Sequence, residues 1–121
     1  MSGTIARQVV EALADPSSTP PEGLFAPGAV TWHSFDEVEA PTVPDTFASL
    51  VAIRTVVPDF TMTELRAGDG YAQYVVTGTL PDGSTLRAPA ALVVHVEEGM
   101  VTRIEEYVDT GQLAPLFALL G

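Results

Sequence analysis

The sequence has no cysteine and no lysine. The first absence excludes thiol nucleophiles, disulfides and thiolate metal ligands, and the second excludes Schiff-base catalysis. Basic residues are scarce: five, all arginine (Arg7, Arg54, Arg66, Arg87 and Arg103), against 16 acidic residues, for a formal charge of −11. A field of that sign repels phosphate backbones, so no nucleic acid is expected as a partner. No apolar run approaches the roughly 18 residues that a membrane span needs. Met1-Ser2-Gly3-Thr4 leads into an amphipathic segment rather than a basic-then-apolar signal. The expectation is a soluble, cytoplasmic protein with no membrane partner. A glycine-rich phosphate fingerprint is also lacking, so no cofactor is expected. Two histidines and scattered carboxylates make no persuasive metal site.

What is present is apolar residue, 46% of 121, enough to bury one core in one domain, 1–121. Ile5, Val9, Ala12 and Leu13 fall on one helical stripe that Asp15-Pro16 ends. A connector rich in proline and serine follows, 16–23. Leu24-Phe25-Ala26-Pro27-Gly28 reads as a turn into a β-favouring run, 29–33. Residues 34–44, acidic and proline-bearing, read as a loop, and Asp45 as the N-cap of a second helix with Phe47, Leu50, Val51 and Arg54 on one face. Strands are predicted over 60–67, 71–80, 85–97 and 101–108, separated by Gly68-Asp69-Gly70, Pro81-Asp82-Gly83-Ser84 and Glu98-Gly99. Asp109 is placed to cap a short last helix carrying Leu113, Leu116, Phe117 and Leu120. Helices on one face of a mostly antiparallel meander make an α+β domain.

Four phrases, in order, carry a resemblance: Leu24 to His33, Val57-Pro58-Asp59-Phe60, Val96-Glu97-Glu98-Gly99-Met100-Val101, and Ile104-Glu105-Glu106-Tyr107-Val108-Asp109. Together they resemble the SnoaL-like family of the nuclear transport factor 2-like superfamily. The resemblance implies a cone-shaped fold, a curved antiparallel sheet with helices on its concave face, an apolar pocket and a homodimer. It does not single out an activity, because this fold hosts isomerases, cyclases, dehydratases, epoxide hydrolases and plain binders. The helical segment usual before the Leu-Phe-Ala phrase is reduced here to the proline-rich connector.

His33 resembles the position where ketosteroid isomerases carry a general-base carboxylate and limonene-epoxide hydrolases a water-holding asparagine. An imidazole titrates near neutrality and suits proton transfer; a histidine merely hydrogen-bonded at a strand end is the alternative. Glu106 resembles the catalytic aspartate position of epoxide hydrolases and SnoaL-like cyclases. Alternation sets Ile104, Glu106 and Val108 against Arg103, Glu105 and Tyr107, with either parity open. The hydrolase arginine and aspartate would fall on Gln73 and Val75, and the isomerase oxyanion donors near Val9 and at Ala91 or Leu92, so neither activity fits by those mechanisms. On strand 85–97 the even positions, including Ala88, Ala90 and Leu92, form an apolar face with small residues in the middle, leaving either ligand space or close helix packing. Trp32, Gln73, Val75 and Thr77 are the remaining expected substrate contacts. His95 and Arg87 are expected on the other face. Asp36, Glu37 and Glu39 follow His33, as a mouth cover or simply as solvated charge. The reading is an acid–base isomerase or cyclase acting on a small apolar carbonyl compound, His33 and Glu106 moving the proton. A binding protein without turnover, or a dimeric interaction module, is the alternative.

Overall fold

The computed structural model of the chain describes residues 2–37 and 39–120, with the backbone alone for 2–4 and 39–41. Helix α1 (Ser2–Ala14) is followed by strands β1 (Phe25–His33) and β2 (Glu39–Thr42) and by helix α2 (Val43–Val56). Strands β3 (Thr61–Gly68), β4 (Tyr71–Thr79), β5 (Thr85–Glu97) and β6 (Met100–Val108) lead to helix α3 (Thr110–Leu120). The expected α+β architecture is present. The six strands form one curved sheet in the order β2-β1-β6-β5-β4-β3, with α1 packed on β3, β4 and β5, α2 on β1 and β2, and α3 on β5. The sheet is mixed rather than wholly antiparallel, because β1 runs parallel to β6.

Local differences from the sequence reading have simple causes. Strand β1 begins at Phe25 rather than Ala29: its ladder is broken between Phe25 and Val30, and Gly28 absorbs the break at φ 78°, a backbone angle cheap only for glycine. The acidic segment contains β2, which pairs with β1 at Val30 and Trp32. Thr42, not Asp45, caps α2: its hydroxyl accepts the Asp45 N–H at 3.4 Å and donates to Asp45 Oδ2 at 3.0 Å, while Pro44 occupies a first-turn position where no N–H is needed. Phe47 and Leu50 are buried, but Val51 points to solvent, and Val43 takes its place in the core. Asp109 caps α3 as expected, Oδ1 accepting the Gln112 N–H at 3.1 Å.

The core fills the space between helices and sheet. Val9 and Val10 of α1 meet Ala72, Leu86, Ala88 and Leu92 of the sheet in one buried cluster. Ala88 and Leu92 are fully buried there. Gly78 lies against the turn after α2, where a Cβ on it would come within 2.6 Å of Val57 Cγ1.

Arg54 ties the layers together. Its Nε donates to Phe60 O at 3.0 Å, Nη1 to Ser18 Oγ at 2.7 Å and Nη2 to Leu13 O at 2.9 Å. One guanidinium thus holds the end of α1, the proline-rich connector and the turn into β3. The planar fork makes this possible, since it offers diverging donors from one rigid group. Replacing Arg54 with Met keeps the stem and removes all three bonds, leaving the Leu13 and Phe60 carbonyls without their guanidinium partner. A loss of about 3 kcal/mol of stability is expected, measured by urea unfolding of Arg54→Met against wild type.

Candidate active site

Parallel pairing sets β1 level with the last strand: Thr31 lies beside Ile104 and His33 beside Glu106. Alternation then sends all four side chains to the helical side. The junction is locked beyond the ladder, with Ser34 N–H donating to Glu106 O at 2.9 Å and Val108 N–H to Ser34 Oγ at 3.2 Å. His33 Nε2 lies 3.3 Å from Glu106 Oε1, both side chains less than a fifth exposed. From β4, the buried Tyr74 donates its hydroxyl to Glu106 Oε2. One carboxylate therefore stands between a phenol and an imidazole, one on each oxygen.

His33, Glu106 and Thr31 face a cavity of about 300 Å³ between the sheet and the three helices. Leu13, Leu50 and Ile53 line its helical wall, and Phe60, Met62, Val76 and Ile104 its floor. Leu113, Leu116, Phe117 and Leu120 of α3 close one side. Thr46 and Ser49 of α2 add hydroxyls, Thr46 donating to Thr31 Oγ1 at 3.0 Å. At the mouth Phe35 stacks on His33, ring centroids 4.8 Å apart, and packs against Phe117 at 5.0 Å. The result is an apolar chamber with a few convergent polar groups, the usual form of a small-molecule site.

Of the residues expected to touch a substrate, the structure brings only His33 and Glu106 to this chamber. Trp32 points to the opposite face, where its ring lies 5.3 Å from Tyr107. Gln73, Val75 and Thr77 share that outer face, across from Ala91, Pro89 and Arg87. Ala88 and Leu92 face inward but pack in the core cluster under the helices and do not line the chamber. Ala90 borders an open groove with Gln73 and Val75. His95 and Glu105 are both outside, Nε2 and Oε2 3.4 Å apart. Asp36 lines the chamber, Glu37 is exposed, and the Glu39 side chain lies outside the described residues.

Tyr74 is the residue that sequence reasoning missed, and the hairpin contained the signal. The β4–β5 register pairs Thr79 with Thr85 and hence Tyr74 with Ala90. In an antiparallel pair, partners share a face. If the even positions of β5 face inward, those of β4 must too, so placing Gln73 inside was inconsistent with placing Ala88 inside.

Burial pushes the Tyr74 phenol well above its ordinary value of 10, and the Glu106 charge and hydrogen bond push it the same way. The phenol thus stays a donor wherever the fold persists. A group whose folded pKa is raised stabilises the fold fully below the unfolded value and progressively less as pH rises from there through the folded one, because in that interval only the unfolded chain ionises. The chain has no lysine or cysteine to add to this alkaline range. Wild type should lose stability steeply above about pH 10, and Tyr74→Phe should flatten that alkaline limb, read from urea midpoints between about pH 8 and 11.

No protein-family model matches the sequence, and no curated protein matches it significantly. Solved structures do match. IdmH, a candidate polyketide cyclase from Streptomyces antibioticus, superposes with a TM-score of 0.73 at 14% identity, over 98% of this chain and 99% of that one. A candidate SnoaL-like polyketide cyclase from Jannaschia sp. gives 0.66 at 13% identity, over 95% and 92%. A protein of ketosteroid isomerase-like fold from Catenulispora acidiphila, in complex with trimethylamine, gives 0.68 at 11% identity, over 88% and 86%. These likenesses carry the fold and not the activity. The chain has the ketosteroid isomerase-like, nuclear transport factor 2-like fold.

Proposed function

We propose that this protein is a SnoaL-like enzyme that moves a proton on a small, mostly apolar carbonyl compound, as in isomerisation or aldol-type cyclisation, without a cofactor. The observation that carries the reading is the Glu106 carboxylate held between Tyr74 and His33 at the polar end of an apolar chamber. His33 takes a proton from the carbon beside the carbonyl and returns it to another atom, and Glu106 stabilises the imidazolium formed in between. A chamber of about 300 Å³ is at the lower limit for small-ligand sites, which favours a compact molecule of one or two rings. The names of the similar structures, cyclase among them, support the same class of chemistry.

The proposal includes a cytoplasmic homodimer. Tyr71, Val93 and Tyr107 are large, exposed and adjacent on the outer sheet face, an apolar patch of the sort that partners cover.

A panel of cyclic ketones and β-dicarbonyl compounds in D₂O tests the reading, with proton NMR following exchange at the acidic carbon. Wild type should accelerate exchange of at least one compound that it binds, and His33→Ala should lose about 100-fold or more of that rate while still binding it. Binding without accelerated exchange, or exchange indifferent to His33→Ala, would make the chamber a binding site only.

A further inference from the structure

Resting on that reading, we infer that Tyr74 is a positioning residue for Glu106: it takes Oε2 and leaves Oε1 to hold the hydrogen of His33 on Nε2, so that Nδ1 is the atom that accepts the substrate proton. The argument concerns where hydrogens must lie. The Tyr74 phenol is buried, and among the described residues its hydroxyl has one hydrogen-bond partner, Glu106 Oε2. A buried donor without an acceptor is unfavourable, so the O–H points at Oε2, and Oε2 is an acceptor. Any proton shared by the carboxylate and the imidazole therefore sits on the Oε1–Nε2 side, where the two atoms are 3.3 Å apart.

With the carboxylate ionised, Nε2 bears the hydrogen and faces Oε1. No described residue hydrogen-bonds Nδ1, which is left as the basic nitrogen. In the reaction the substrate C–H bond breaks and an Nδ1–H bond forms. The electron pair of that C–H bond passes to the carbonyl oxygen as an enolate, and the imidazolium pairs with Glu106. Return of the same proton to a different atom closes the cycle with no oxidant or co-reactant. Among the described residues, the one other titratable side chain lining the chamber is Asp36 at the mouth. Glu105 and His95 lie on the far face of the sheet, where they meet each other and Arg103.

The test asks whether Tyr74 sets the hydrogen-bond direction through residue 106. Two-bond proton–nitrogen correlation spectra of labelled protein, at a pH where the ring is unprotonated, report which nitrogen carries hydrogen, and a His95→Gln variant assigns the two histidines. Wild type should show the Nε2–H form of His33. In Glu106→Gln the Tyr74 hydroxyl still requires an acceptor, so the amide oxygen turns to Tyr74 and its NH₂ to His33. Nε2 must then accept, and the spectrum should invert to the Nδ1–H form. In Tyr74→Phe/Glu106→Gln the amide is released, and the Nε2–H form should return in substantial part.

An Nδ1–H wild type, a Glu106→Gln spectrum that keeps Nε2–H, or a double variant identical to Glu106→Gln each overturns the inference. If the double variant does not fold, the wild-type and Glu106→Gln spectra decide alone. All of these spectra are of the resting protein. Failure of the catalytic reading, seen as absent carbon-proton exchange, is therefore distinct from failure of this one.

Discussion

The parallel pairing of the first long strand with the last is the constraint on which the rest of the site depends. Residues about 70 positions apart in the chain, His33 and Glu106, become lateral neighbours because their strands share a register. Parallel neighbours require a long crossover. Here that crossover is most of the protein: β2, α2 and the β3–β5 meander all lie between them. The same crossover carries α2 over the sheet and brings Tyr74 within reach of the carboxylate. The ionisable centre is thus a consequence of topology, and the Ser34–Glu106 and Ser34–Val108 bonds fix it where the strands part.

Around that centre, polar and apolar groups are separated by role. The chamber wall is mostly leucine, isoleucine, phenylalanine and methionine, a low-polarity surround that strengthens the electrostatic contacts beside it. The polar groups are few and satisfied by one another: phenol to carboxylate, carboxylate to imidazole, hydroxyl to hydroxyl. No buried side-chain nitrogen or oxygen among the described residues lacks a partner. Such a network holds its groups in one geometry, because any rearrangement leaves a buried donor or acceptor unmatched. Other charges pair on the outer face, as in the Arg87–Glu64 and Arg103–Glu105 pairs, both in or near solvent, while Asp36 lines the chamber at its mouth.

Arg54 shows how a connector without regular structure is held in place. With only a proline-rich connector between α1 and β1, little regular backbone is available to cover that edge of the core. The guanidinium supplies the missing closure by bonding the connector, the helix end and the turn before β3. The sequence puts this arginine on one face of the second helix, and the structure shows what it bonds. Its carbonyl partners are contributed by main chain that becomes adjacent only on folding, so no side-chain pattern announces them.

Composition and periodicity were enough to determine an α+β chain, the apolar stripe of α1, the four-strand series from residue 60 onward, the Asp109 cap and the absence of thiol and amine chemistry. These are local matters, decided by backbone stereochemistry and by which faces must leave water. The resemblance added the cone and drew attention to His33 and Glu106, which the structure places 3.3 Å apart. The parallel strand pair, the inward phenol of Tyr74 and the exile of Trp32, Gln73, Val75 and Thr77 to the outer face were decided by tertiary structure. Each depends on register between strands, and a shift of one residue reverses every side chain. A strand with apolar residues at both parities, such as β4, does not reveal which of its faces meets the core; only its partners do.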